Sequence, residues 1–363
     1  MEITDVRVDT LQVPLANELG DARASVNERF WVVVELETDT GYTGTGWLGT
    51  WRVPDLFERY TRSFADLLVG RDPFATESLR EAMRERTLYY PGEIGFSANP
   101  RSAIDVACWD LKAQAAGRPL YALLGGEERE IPAYCSRLDA GYDEEELVAN
   151  HAEAVEDGFD AVKTKVGGRP LTEDVARVRA LREELGPDVE ILVDANQAWT
   201  PAEATRAMAE LERFDVGWVE EPVSEFDVAG YECVSAQATA PIATGEMFYR
   251  LDRLRQLLTA GAVDVAQHDL LRGGGITGQW DAARLAHAHG VPFAPHIYYE
   301  LSAHLVSAAP TGRIVEYIPE YDVTPVLENA PEVADGCVHL SDDPGHGYRI
   351  DPNARAEYRV TFD

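Results

Sequence analysis

The sequence predicts an α/β protein, a closed parallel β/α barrel preceded by a smaller α+β domain. Three observations carry this reading. From Ile131 onward, eight short apolar segments alternate with amphipathic helical patterns over about 190 residues. Each segment closes on a polar residue, and from Lys165 those residues recur at steps of 29, 26, 26, 23, 27 and 20, one β/α unit at a time. Before them, roughly the first 125 residues run strands first and helices after, the order of an α+β domain. An open doubly wound sheet is the rival for the alternating part, and eight evenly spaced units favour closure.

In chain order, "ITDVRVDTLQVPL", "RFWVVVELETDTG" and "GYTGTGWLGTW" read as strands, with "TDTGYTG" as a turn between the second and third. Helical patterns follow over Val53–Val69, over Ala75–Arg86, and over "SAIDVACWDLKAQAAG", closed by Gly117. The barrel strands are "IPAYCS", "DAVKTKV", "EILVDAN", "VGWVEEP", "PIATGE", "VDVAQHD", "VPFAPH" and "RIVEYI". Helices such as "PLTEDVARVRALREELG" and "TPAEATRAMAELERF" lie between them. After Leu327 the pattern is loop and short strands, with no further β/α unit.

Composition bounds the function. The net charge of −32 is spread along the chain, a field that repels nucleic acid and anionic membranes. No apolar run approaches the roughly 18 residues of a membrane span, and the N-terminus lacks a signal-peptide pattern, so a cytoplasmic location is expected. Cys108, Cys135, Cys233 and Cys337 show no paired spacing and read as reduced. Only three of the 32 basic residues are lysine: Lys112, Lys163 and Lys165. High acid with almost no lysine resembles a halophilic surface. Two of the three lysines nevertheless fall in one strand.

The strand ends carry the chemistry. Ser136 closes the first strand, Lys163 and Lys165 the second, Asp194 the third, Glu220 the fourth, Glu246 the fifth, Asp269 the sixth, His296 the seventh and Glu316 the eighth. A period equal to the fold unit puts them all on the C-terminal rim, where barrels of this kind hold their active sites. Asp194, Glu220 and Glu246 come from consecutive strands about 4.8 Å apart and can converge. Three converging carboxylates repel one another unless a cation joins them, and an all-oxygen set favours Mg²⁺ over Zn²⁺. The competing explanation, salt bridges to arginine, finds only Arg313 in these strands, at the opposite rim. Lys163 and Lys165 are two apart, so both point into the barrel mouth. Their mutual repulsion and a nearby cation are expected to lower both pKa values, which suits a base. Asp269 beside His296 would fix the imidazole tautomer and raise its basicity. The G-x-G-x-x-G of Gly273, Gly275 and Gly278 follows a sixth strand rather than a first. It reads as a tight turn, not a dinucleotide site.

With these residues assembled, the chain resembles the enolase superfamily, specifically the mandelate racemase subgroup, over its whole length. "VKTKVG", "VDANQ", "WVEEP", "TGEMF", "HDLLRGGGITG", "PHIYYELSAHLVSA" and "VEYI" match in order and spacing. The resemblance implies a modified TIM barrel, (β/α)₇β, over residues 126–326. It implies an α+β capping domain over 1–125 and a segment over 327–363 that returns to the cap. It implies Asp194, Glu220 and Glu246 as Mg²⁺ ligands, Lys165 as the base on one substrate face, and Lys163 near the substrate carboxylate. His296, paired with Asp269, would be the acid/base on the other face, and Glu316 the acid that hydrogen-bonds the substrate carboxylate. Ser136 and Asn196 would line the site. The muconate-lactonizing subgroup carries a lysine where this chain has Asp269, which argues against that subgroup's chemistry. The implied reaction is α-proton abstraction from a 2-hydroxy carboxylate. Dehydration of an acid sugar to a 2-keto-3-deoxy acid would follow, with racemisation or epimerisation of a 2-hydroxy acid as the alternative.

Specificity is expected from two cap loops, one rich in Asn17, Asp21, Arg23 and Asn27, the other offering Trp47 and Trp51. The expected partners are a small-molecule acid and further copies of the chain, with neither nucleic acid nor membrane. Readings from other classes are a Schiff-base aldolase on Lys163 or Lys165, which would not need the three carboxylates, and a non-catalytic metal-binding protein.

Overall fold

The computed structural model describes residues 1–15, 19–20, 25–26 and 28–362. Strand β1 (Ile3–Val13) pairs antiparallel with β4 (Arg29–Thr38), which pairs with β5 (Thr43–Thr50). Between the first two, β2 (Leu19–Gly20) and β3 (Ser25–Val26) form a small ladder of their own. Helices α1 (Pro54–Arg62), α2 (Ala65–Leu68) and α3 (Thr76–Thr87) follow, then the long α4 (Ala98–Ala115) and a short α5 (Leu120–Leu124) that the pattern did not announce. The single helix expected over Val53–Val69 is broken where the Ser63 hydroxyl donates to the Tyr60 carbonyl and competes with the helical ladder. Helix α4 starts earlier than expected, because Pro100 in its first turn has no intrahelical N–H bond to lose. It lies directly on β5. A Cβ at Gly44 or Gly46 would come within 2.2 Å of the Ala107 or Ala103 carbonyl, so only glycine admits this approach.

The barrel follows as β6 (Glu130–Ser136), β7 (Ala161–Lys165), β8 (Glu190–Asp194), β9 (Val216–Glu220), β10 (Ile242–Thr244) and β11 (Val265–Ala266), in parallel register. Strand β12 (Val315–Tyr317) closes it against β6, pairing Glu316 with Tyr134. The seventh segment, "VPFAPH", differs from expectation. It forms only isolated bridges, Phe293 to Ala266 and Gly312 and His296 to Asp269, because Pro292 and Pro295 have no N–H for a ladder. Helices α6 (Glu144–Glu156), α7 (Leu171–Leu185), α8 (Pro201–Leu211), α9 (Val228–Ser235), α10 (Leu251–Ala260), α11 (Gly275–Ala288) and α12 (Tyr299–Ala308) follow the first seven strands. Among the described residues only two 3₁₀ turns, Pro319–Tyr321 and Thr324–Val326, lie between the eighth strand and the next one, so the eighth has no barrel helix after it and the barrel is (β/α)₇β. The chain then forms a hairpin, β13 (Glu332–Ala334) and β14 (Cys337–His339), whose second strand pairs with the start of β6. After α13 (Pro352–Tyr358), β15 (Arg359–Val360) pairs with β1.

Strand parity connects this core to the rim. Tyr134, Ala161, Leu192, Trp218, Ala243, Val265 and Ala294 form one buried cluster inside the barrel. Two positions beyond most of them, on the same strand face, stand Ser136, Lys163, Asp194, Glu220, Gln267 and His296. Among the described residues no helix is long and apolar enough to cross a membrane.

Candidate active site

The mouth of the barrel opens to a cavity of about 390 Å³ between the rim and the cap. Asp194, Glu220 and Glu246 converge there, with one oxygen of each within 4.8 Å of the others. Asp194 and Glu220 end adjacent strands in register. Glu246 lies two residues beyond β10, past Gly245 at φ 141°, whose backbone is close against Gln267 and His268. Asp194 accepts from the backbone N–H of Asn196 at 2.8 Å and from its side chain at 3.1 Å. Glu220 Oε2 accepts from Lys163 at 2.7 Å and from Gln267 at 2.8 Å, while its buried Oε1 has no hydrogen-bond partner. Burial, then the charge of Asp194, pushes the Glu220 carboxyl up to about 7. A buried carboxylate oxygen without a donor is costly. A hard divalent cation between the three groups would satisfy it, so the residues present fit such an ion.

Lys165 Nζ donates to Asp194 Oδ2 at 2.5 Å, and Lys163 Nζ lies 2.7 Å from Glu316 Oε1. The expected fall in lysine pKa is not what this arrangement produces. Burial lowers both, but the carboxylates outweigh it: Glu220 and Glu316 hold Lys163 well above its ordinary value, and Asp194 raises Lys165. Four carboxylates around two ammonium groups make the local field negative until a cation offsets it. Glu316 is displaced the other way. Burial raises it, but Lys163 and then His296 bring it to about 2.

His296 is held between two acids, with Nδ1 2.7 Å from Asp269 Oδ2 and Nε2 3.0 Å from Glu246 Oε2. Burial lowers its pKa, but Glu246 and the Asp269 bond raise it to about 10. Arginine does reach the carboxylates, contrary to the sequence reading. Arg272, in the loop after β11, donates to Glu246 Oε1 at 3.1 Å. Arg313 is at the far rim on Glu190, as expected.

Lys165, Asn196, Glu246, Asp269, His296 and Glu316 line the cavity, and Lys163, Asp194 and Glu220 are buried at its floor. Ser136 does not line it. Its side chain is fully buried, and Leu138, two residues on, makes that part of the wall. Trp51 faces the cavity beside Tyr321, ring centroids 4.9 Å apart, but Trp47 does not: it is buried and donates to Glu300 at 3.0 Å. Asn17, Asp21, Arg23 and Asn27 lie outside the described residues. Gln267 was missed, although it is two positions before Asp269 and parity would have found it. Asp139 was missed as well. Buried beyond β6, it accepts from Lys165 N at 3.0 Å and Thr164 Oγ1 at 2.8 Å, and lies 2.9 Å from His151 Nε2, so it fixes the backbone that carries Lys165. Asn196 and Gln197 after β8, Glu221 after β9, and Ile297 and Tyr298 after His296 all have positive φ. That concentration of left-handed non-glycine backbone is typical of a functional rim.

Residues 3–125 match the mandelate racemase/muconate lactonizing enzyme N-terminal domain, and residues 146–354 match the enolase C-terminal domain-like family. The chain belongs to the mandelate racemase/muconate lactonizing enzyme family of the enolase superfamily. Members named among its relatives are lyases and isomerases. It is 32% identical to a 3,6-anhydro-alpha-L-galactonate cycloisomerase of Streptomyces coelicolor, over 96% of this chain and 97% of that one. An L-talarate dehydratase from Polaromonas, complexed with Mg and L-glucarate, superposes with a TM-score of 0.91 at 32% identity, covering 99% of this chain and 98% of that one. An enolase from Bradyrhizobium complexed with magnesium and mandelic acid also gives 0.91 at 32% identity, with 99% of each chain covered.

Proposed function

We propose that this family member removes the α-proton of a 2-hydroxy carboxylate and dehydrates an acid sugar to a 2-keto-3-deoxy acid. One observation carries the reading: Lys165 and His296, from strands two and seven, flank the carboxylate cluster within one cavity. Lys165 is the base at the α-carbon, held by Asp194 and by its backbone bond to Asp139. His296, oriented by Asp269, protonates the β-hydroxyl as it leaves. Lys163, in contact with Glu316 at the floor, is placed to bind the substrate carboxylate, and Glu316 would hydrogen-bond it once protonated. Asn196 lines the same space, and Ser136 is buried in register beside Lys163. Mg²⁺ held by Asp194, Glu220 and Glu246 would offset the charge that builds on the substrate carboxylate. The acid-sugar relatives support the substrate class.

Racemisation of a 2-hydroxy acid has its own support. Trp51, Phe57 and Phe96 put an apolar wall on the cap side of the cavity, and one close structural neighbour holds mandelic acid. Incubation of the protein with Mg²⁺ and a panel of aldonic and aldaric acids is expected to release a 2-keto-3-deoxy acid from at least one. If none reacts and an aryl 2-hydroxy acid exchanges its α-proton with deuterium, the isomerase reading takes its place.

Magnesium is expected to raise Tm by a few degrees, since a ligand at 100 times its Kd adds about 2.7 kcal/mol. Glu220→Gln should remove most of that rise, and a Tm indifferent to Mg²⁺ would count against the cation. The protein is read as a cytoplasmic homo-oligomer with a salt-adapted acidic surface. Tyr89 and Tyr90, 95% and 88% exposed, offer an apolar contact for a second copy. Light scattering decides the first point, and a Tm that climbs in molar KCl the second.

A further inference from the structure

Helix α4 of the cap meets the barrel at a buried polar seam that none of the roles above uses. Asp105, 3% exposed, accepts from the backbone N–H of Thr277 at 2.9 Å and from its hydroxyl at 2.6 Å. The Thr277 hydroxyl accepts in turn from Trp109 Nε1 at 2.8 Å. One turn earlier on α4, Ser102 Oγ accepts from Gly274 N at 3.1 Å. The approach is close enough to need glycine. A Cβ at Gly275 would fall 2.5 Å from Asp105 Oδ2 and 2.8 Å from the Ser102 carbonyl.

The other end of the same turn holds the proton-transfer groups. Asp269 Oδ1 accepts from the N–H groups of Leu271 and Arg272 at 2.8 and 2.7 Å, while Asp269 Oδ2 holds His296. Arg272 reaches Glu246 through both its carbonyl and its carboxylate. Gly273 N donates to the Asp269 carbonyl and Gly275 N to the Leu270 carbonyl, so little slack is left between the two ends. Beneath the turn is the His268 ring, which a Cβ at Gly273 would overlap.

We propose that Asp105 is a positioning residue: through the glycine-rich turn 270–275, the cap helix sets the Asp269–His296 pair. Docking of the cap and proton transfer on the His296 face are then coupled, while the Lys165 face, anchored by Asp139 on the far side, is not. This rests on the proposed two-face chemistry, and a readout that needs no substrate separates the two.

In the Mg²⁺-loaded full-length protein, the low-field proton NMR signal of His296 Nδ1–H is assigned by its loss in His296→Asn. It is expected to shift or broaden in Asp105→Ala and Thr277→Val, and to return to the parent position in Thr277→Ser. With a substrate in hand, the His296-dependent step, release of the dehydrated product or, for a racemase, α-deuterium exchange on the His296 face, should fall roughly ten- to hundredfold, the scale of a misplaced catalytic group. Exchange on the Lys165 face should stay within about twofold of the parent. If Asp105→Ala does not fold, Thr277→Val, which keeps the backbone bond, carries the test. An unmoved imidazole signal, or equal loss on both faces, would reduce Asp105 to a domain-docking residue and overturn the proposal. A parent protein that exchanges no acid defeats the functional reading, and the imidazole signal still decides the coupling.

Discussion

Lys165→Arg is expected to abolish α-proton exchange while leaving the fold intact. The reason is chemical rather than steric. An arginine can keep the charge beside Asp194, but it stays protonated at any working pH and cannot accept a proton. Loss of a positioned general base costs about 10²–10⁴ in rate. Lys163 cannot take over, because its ammonium group lies at 2.7 Å from both Glu220 and Glu316, buried on the cavity floor. Lys165→Ala should be equally inactive but also less stable. It leaves Asp194 a buried carboxylate without its closest cation, a change worth about 3–5 kcal/mol for a broken buried pair. The two Asn196 bonds soften that loss, and so would a bound cation. Deuterium incorporation by NMR, with circular dichroism on the same samples, separates the two effects. An Lys165→Arg protein that still exchanges the α-proton would sink the assignment of the base.

Much of the site could be read from the sequence because the barrel converts position into geometry. A strand alternates its faces, and each β/α unit returns the chain to the same rim. The spacing of Lys165, Asp194 and Glu220 was therefore already a statement about convergence. The residues that escaped lie where this rule does not hold. Arg272 and Asp139 sit in loops past the strand ends, where no parity predicts direction. Trp47 and Trp51 occupy one cap segment, yet one is core and the other faces the cavity, a difference fixed by the packing of α4 and α12 on β5. The lysine shifts of the metal-free site escaped the sequence for a further reason. Spacing revealed which charges would meet, but the balance between two ammonium groups and four carboxylates depends on contact distances only the folded chain supplies.

His296→Asn is the second large expected effect, and it divides the two candidate reactions. Asparagine can still hydrogen-bond to Asp269 or Glu246, and Glu246 keeps Arg272 as its cation, so the rim should survive. What disappears is the one imidazole that the described residues place at the cavity wall. If the protein dehydrates an acid sugar, release of the 2-keto-3-deoxy product should fall about 10²–10⁴-fold, the range for a lost general acid. Lys165 should continue to exchange the α-proton of the same substrate, because Lys165 and its supports, Asp194 and Asp139, do not touch His296. If the protein is a racemase, interconversion should stop, and exchange should persist for one enantiomer alone. Undiminished product formation would show that His296 carries no proton in the reaction. Complete loss of Lys165-face exchange in a folded, Mg²⁺-stabilised variant would show that the two faces do not act independently, and the two-base reading would fail with it.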